Sequence, residues 1–438
     1  MRFDGFNKVW ESKQIGEIAE VVGGGTPKTE IVDYWDGEIK WFTPSEIGKT
    51  KYVFDSDRHI TEKGLKNSSA KLLPKDALLL SSRATVGEIS IALTECSTNQ
   101  GFQSLITKSN VDNDFIYYLI STIKNEFLRR SSGSTFLEIN KNEIKRMPIN
   151  IPELSEQKKI SNLFSAIDNK IEMLEKKCEY YQDFKKYLMQ RIFSSSDDKL
   201  RFDFNDEWRI RILNEITFYQ EGPGVRNYQY TKEGVKLLNV GNFVNNALEL
   251  DNTDKYISNE EAYGKYKHFL VDEGDLLIAC SGIKAEYFDE KIAFAENKHL
   301  PLCMNTSTMR FKSLDENTLN LRYLKYYFQT QSFKKQVFQV MTGSAQFNFG
   351  PTHLKYFKIP IPCLDEQIKI YQMFESIDIK ILNIYREIMK VKEFKKGLLQ
   401  QMFVVRINWR CNFKLAKSPS FNKHLLILKN KIIFIIIK

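Results

Sequence analysis

With 438 residues the chain can hold two or three domains, and its 42% hydrophobic and 27% charged content fits a soluble globular protein rather than a membrane-embedded or disordered one. The net charge of +9 does not by itself mark a nucleic-acid binder. Eight basic and no acidic residues follow Phe403, so the first 403 residues hold 56 basic against 55 acidic side chains, and any charged surface there must be local.

Met1–Trp10 carries Arg2, Asp4 and Lys8 and has no apolar run, so a secretory signal is not expected and a cytoplasmic location is. Short strand-like runs follow between turn signals: Ile18–Val22 before the GGGTP turn, Trp41–Thr43, and Ala77–Leu80 before Ser81-Ser82-Arg83. The three glycines at 23–25 lead into no Gly-Lys-Ser/Thr, so they predict a turn with positive φ rather than a phosphate loop. Asp114–Arg130 reads as helix, and the first globular unit is set at residues 1–147. A long helical region occupies 148–200. A second unit, 201–357, echoes the first with Trp208, Leu213–Ile216, Val235–Val240, Leu276–Ala279 and the helical stretch Leu321–Val340. A second helical region fills 358–403, and 404–438 is a basic tail of foreign composition, expected to be dispensable for whatever the body recognises. Its apolar end, Leu425–Ile437, is too short to span a bilayer, and no membrane role is expected.

The helical regions are copies of one another. Ile151–Phe193 recurs as Ile361–Phe403 at an offset of 210 without a gap; Pro152, Glu156, Gln157, Phe164, Asp168, Lys170, Phe184, Lys185, Lys186 and Phe193 have identical counterparts. Apolar residues advance in steps of three and four, from Ile160, Phe164, Ile167 and Ile171 through Leu174, Cys178, Tyr181 and Phe184 to Leu188 and Ile192. One double step of three, at Tyr181 to Phe184, interrupts the heptad. Ser155 and Asp365 are the N-cap candidates. At ~1.5 Å per residue, about 40 residues give a rod of roughly 60 Å. Each copy is the nearest partner for the other. Since the first leads straight into the second unit, an antiparallel pair with one globular unit at either end satisfies the connectivity. The expected fold is therefore α+β: two mixed α/β domains separated by an antiparallel pair of long coiled-coil helices, with an internal pseudo-twofold repeat. The globular halves match more loosely; Trp10 corresponds to Trp208 at an offset of 198.

No catalytic or metal-binding pattern emerges. No two prolines are adjacent, which rules out the Asn-Pro-Pro-aromatic run of an amino-methyltransferase. Glu156-Gln157-Lys158 resembles the end of a nuclease motif, but its copy Glu366-Gln367-Ile368 lacks the Lys, so both are expected on the helix surface. The six cysteines form no C-x-x-C pair and are expected reduced. His299 with Cys303 is too small a set for a metal ion, and the five histidines form no catalytic pair.

WESKQIGEIAEVVGGGTPKTEIVDYW, WFTPSEIG, LPKDALLLSSRATVGEISIA, TNQGF and IPELSEQKKI, followed by DEWRIRILNEI, VDEGDLLIACSG and IPCLDEQIKI, resemble specificity subunits of type I restriction–modification systems from about Lys8 to Phe403. The resemblance implies a non-catalytic subunit whose two target-recognition domains each read half of a bipartite, asymmetric double-stranded DNA sequence. The helices would set the spacer and dock two modification subunits, which supply S-adenosylmethionine. ATP and Mg2+ would belong to restriction subunits, and no cofactor is expected on this chain. The second half departs from the pattern in lacking GGGTP and an Arg facing Arg83, so contacts do not carry from one half to the other.

Duplex readout needs cations, amides and hydroxyls in turns. The candidates are Thr26, Lys28, Arg58, Lys66, Ser82, Arg83 and Gln103 in the first unit, and Arg226, Asn227, Tyr228, Lys232, Lys284 and Lys291 in the second, with Arg83 and Arg226 foremost. A coiled-coil adaptor that touches no DNA is the alternative, and the unlikeness of the two turn-rich units argues against it. A fused nuclease–methylase would need residues this chain does not have.

Overall fold

The computed structural model describes residues 2–133, 137–194, 199–251, 253–283, 285–340, 347–348 and 350–403, so the tail and Lys284 lie outside the described residues. The chain divides into two compact units. One comprises Met1–Glu175 with the chain from Arg386 onward, the other Lys176–Tyr385. Both long helices, Leu154–Ile192 and Leu364–Met402, cross from one unit to the other, and each has 39 residues, about 58 Å of helix.

The two units repeat one topology. In the first, Ala19–Gly23, Gln103–Thr107, Leu78–Leu80, Ile89–Ala92 and Tyr52–Val53 form a five-stranded sheet, and His59–Ile60, Trp35–Phe42 and Cys96–Thr98 form a three-stranded one. In the second, Thr217–Glu221, Thr308–Ser313, Leu276–Ala279 and Ile292–Phe294 are followed by the trio Tyr256–Ile257, Val235–Leu238 and Leu302–Met304. Each trio contains one parallel pair, Lys40 with Cys96 and Lys236 with Leu302. A two-stranded clasp closes each domain: Glu11–Gln14 pairs with Pro148–Ile151, and Arg209–Ile212 with Lys358–Ile361.

Each unit carries one half of the helix pair. In the first, Phe164 stacks on Phe403 at 6.0 Å, Lys395 bridges Asp168 at 2.5 Å and Lys170 meets Glu387 at 3.2 Å, so numbers fall on one helix as they rise on the other. The segments are antiparallel. The second unit makes the corresponding contacts with the copies exchanged: Phe193 on Phe374 at 6.1 Å and Lys185 to Asp378 at 2.7 Å. Tyr118 and Tyr326 complete the match by donating to Asp168 and Asp378 at 2.7 and 2.9 Å.

Several local expectations are corrected. Phe184 is 38% exposed instead of lying in the seam, because after Tyr181 the regular step of four continues to Lys185; its stem enters the seam and its ammonium meets Asp378. Ser155 and Asp365 lie inside helices that begin at Leu154 and Leu364, so neither is an N-cap. Leu213–Ile216 is one helical turn instead of a strand: Glu215 accepts from the amide of Ile212, as Glu17 does from Gln14 before Ile15–Ile18. The stretches 114–130 and 321–340 are each two helices, broken at Ile123 and at Gln329-Thr330.

The Glu-Gln pair of the repeat is buried, not on the surface. Glu156 and Glu366 are fully buried and receive bidentate bonds from Arg2 (2.8 and 2.6 Å) and Arg201 (3.0 and 2.6 Å). Gln157 and Gln367 accept the amides of Asp112 and Asn320, both at 2.9 Å, and donate to Pro152 and Pro362. These residues lock each helix start to its globular domain, which requires buried carboxylates to be paired and buried amides to be saturated.

His299 and Cys303 have structural partners. The Nδ1 of His299 accepts the amide of Glu296 at 3.0 Å, and burial pushes the Cys303 thiol up to about 12. Among the described residues no group of three or more His, Cys, Asp or Glu is placed to hold a metal, and no helix is long and apolar enough to cross a membrane. The five described cysteines are free thiols. Burial also holds His299 below its ordinary value of 6.5. The unfolded chain then takes up this proton more readily than the folded one, so the contribution to stability is complete above about pH 6.5 and is lost as pH falls below it. The stability gap between the wild type and His299→Gln should narrow between pH 7 and pH 5, as read by urea unfolding.

Candidate nucleic-acid interface

In the first unit the glycine loop lies against the three-stranded sheet. The indole N–H of Trp41 donates to Gly25 O at 2.9 Å, and that of Trp35 to Lys28 O at 3.2 Å, which fixes the loop backbone and leaves Lys28 exposed. The loop glycines do not have the expected positive φ. They are needed for close approach: a Cβ on Gly24 would sit 2.1 Å from Asn99 O, and one on Gly25 2.2 Å from Ser69 Oγ. Thr26 donates to Gln100 Oε1.

Arg58 lies beside this loop. Its guanidinium rests 3.6 Å from the Trp35 ring centroid and 5.6 Å from that of Trp41, and the two indoles meet edge to face at 5.1 Å. Both rings are buried and Arg58 is exposed. Among the described residues no acceptor meets its N–H groups. Thr26, Lys28 and Arg58 are thus gathered around one tryptophan pair.

The remaining first-unit candidates are dispersed. Lys66 is exposed and pairs with Glu62 at 3.5 Å. Ser82 is fully buried, its amide donating to Gly101 O. Arg83 occupies a turn with Ala84 at φ 64° and lies 3.6 Å from Glu138. Gln103 packs its amide beside Gly23, with Oε1 buried and unpartnered among the described residues.

In the second unit Arg226, Asn227, Tyr228 and Lys232 lie together in and around one 3-10 turn, all exposed, with Tyr228 at 86%. Lys291 is spent internally, donating to Phe243 O at 2.6 Å. Gly222 takes the place of the missing GGGTP glycine: a Cβ there would sit 2.3 Å from Asn305 O.

One residue escaped the sequence reading. Lys255 is exposed and lies 5.6 Å from the Tyr230 ring centroid. Its carbonyl accepts from Leu237 N at 2.9 Å, as that of Arg58 accepts from Trp41 N at 3.0 Å. Tyr230, like Trp35, is the residue that ends a 3-10 turn. The matching signal lies only in the shared topology, since 25 residues separate Lys255 from its ring.

The chain consists of two copies of a sheet-and-turn domain, each bolted to a long helix through a buried Glu-Gln pair, with unlike exposed turns. The family description "Type I restriction modification DNA specificity domain" matches residues 7–179 and again 205–393, and the chain belongs to this family of DNA-recognition subunits. The Type I restriction enzyme MjaIX specificity subunit of Methanocaldococcus jannaschii is 29% identical over 414 residues, covering 90% of this chain and 93% of that one. The EcoR124I/EcoR124II specificity subunit of Escherichia coli is 27% identical over 191 residues, 40% of this chain and 47% of that one. Two solved structures share the fold. The type I restriction–modification S subunit from M. genitalium has a TM-score of 0.56 at 16% identity, covering 92% of this chain and 99% of that one. A chain from work on complex assembly and conformational transition of the type I R-M system has a TM-score of 0.59 at 16% identity, covering 90% and 98%.

Proposed function

We propose that the first recognition domain reads one half of a bipartite, asymmetric DNA target and the second reads the other, while the long helices set the unread spacer and dock two modification subunits. The observation that carries this reading is one scaffold present twice with matched helix anchors and unlike turns. A binder of two different short sequences needs that combination, and an adaptor does not. Docking is supported by large apolar side chains left exposed on helices that are otherwise polar outside. Tyr180, Phe184, Tyr187, Ile379, Leu382 and Tyr385 lie in the second unit, and Met173 and Met389 in the first. On this reading the subunit is non-catalytic and works in the cytoplasm. Modification subunits bring S-adenosylmethionine, and restriction subunits bring ATP and Mg2+.

The purified chain should transfer no methyl group alone and should direct methylation to one split sequence when modification subunits and S-adenosylmethionine are added. Exchanging Lys8–Met147 for the matching segment of a relative should then change one half-site and leave the other intact, as read by sequencing the methylated positions. Methyl transfer by the isolated chain, or a change in both half-sites at once, would overturn the reading.

A further inference from the structure

We propose that Arg58 and Lys255 are corresponding base-reading side chains, Arg58 taking a guanine in the first half-site and Lys255 a purine acceptor edge in the second. The inference rests on the DNA-reading function above and names the residues that carry its specificity.

The two positions are the same place in the repeated fold. Each residue directly precedes the short edge strand of the three-stranded sheet, His59–Ile60 or Tyr256–Ile257, and each accepts the amide of a residue on the central strand. Each sets its cation against the aromatic ring that ends a 3-10 turn, Trp35 or Tyr230. The device is kept while the residues differ, Arg on Trp against Lys on Tyr. Such a pattern suits a position that determines specificity, where two readers of different sequences must diverge.

The chemistry favours a base edge. Three other arginines of the first unit face carboxylates: Arg83 lies near Glu138, Arg129 near Glu126 and Arg130 near Glu143. Arg58 has no such partner among the described residues, yet the tryptophan pair holds its plane. A guanidinium lying on an indole keeps its forked edge free and loses little further rotamer freedom on binding. That rigid fork matches the O6 and N7 acceptors of guanine, whereas an ammonium is a point charge that reaches the same acceptors with less geometric selection. The first contact should therefore be stringent and the second softer.

The test uses the full chain with modification subunits and S-adenosylmethionine, reading the methylated motif by sequencing. Arg58→Ala should relax one guanine position of the first half-site, with discrimination there falling by between about 5- and 150-fold, and leave the second half-site unchanged. Arg58→Lys keeps the charge without the fork and should relax the same position, which covers the case of an alanine variant that folds poorly. Lys255→Ala should change only the second half-site, by a smaller factor. Equal weakening at every site with both half-sites intact would assign the cations to phosphate and overturn the proposal. So would a motif and efficiency unchanged in Arg58→Ala. A wild-type complex that methylates no defined sequence would instead refute the DNA-reading function itself.

Discussion

Replacing Phe403 with alanine is expected to cost the first unit about 3–5 kcal/mol, a large share of the 5–15 kcal/mol that holds a typical domain together. The side chain is 1% exposed and closes an aromatic cluster, with Trp10 at 6.2 Å, Phe115 at 5.4 Å and Phe164 at 6.0 Å. Each well-placed ring pair adds about 0.5–1.5 kcal/mol beyond its buried area. Phe193 plays the same part in the second unit, against Trp208, Tyr323, Tyr327 and Phe374. Hydrogen exchange separates the two cases. Phe403→Ala should speed exchange in Ala19–Gly23 and Gln103–Thr107 while sparing Thr217–Glu221 and Thr308–Ser313, and Phe193→Ala should do the reverse. Slow exchange in both units of Phe403→Ala would mean that the cluster is not what holds the helix end.

Adding one heptad to both helices, between Glu175 and Lys176 and between Tyr385 and Arg386, should lengthen the unread spacer of the target without altering either half-site. Those points are the boundaries of the compact units, so every contact inside each unit is preserved. Seven residues bring the seam back to within about 20° of its direction and add ~10 Å of helix. At ~3.4 Å per base pair that is about three base pairs. Three base pairs also rotate the groove by roughly a third of a turn, so methylation should become less efficient as the gap grows. A heptad in one helix alone slips the pair by seven residues and should abolish activity. An unchanged gap at full efficiency in the double insertion would show that the helices do not set the spacing.

The repeat and the seam were legible because they are periodic and local. Ile160, Phe164, Ile167 and Ile171, and Ile370, Phe374 and Ile377, are buried where a three-four step places them. The reading failed where a distant residue decides. Glu156 and Glu366 look like surface charges until Arg2 and Arg201 arrive from outside the helix. Phe184 follows the apolar pattern but loses its seam position to a lysine, because the pairing partner at that level is Asp378. Leu213–Ile216 stands where the first unit's order suggests a strand-like run, and the Glu215 cap and the bond from Leu213 N to Phe357 O make it a turn. At the candidate interface, residue type pointed to Arg58, Thr26 and Lys28 but could not separate them from the buried Ser82 or the internally bonded Lys291.

The first unit is discontinuous in the chain: it takes Met1–Glu175 and then the residues from Arg386 onward. On the ribosome its sheets are made first, yet Phe403 is added only after the whole second unit has been synthesised. At about 5–20 residues per second, the 210 intervening residues impose a wait of ~10–40 s. During that interval Trp10, Phe115 and Phe164 have no Phe403 to cover them. The domain begun first is therefore the last to be completed, and a premature stop anywhere before Phe403 damages the amino-terminal reader as surely as the carboxy-terminal helix.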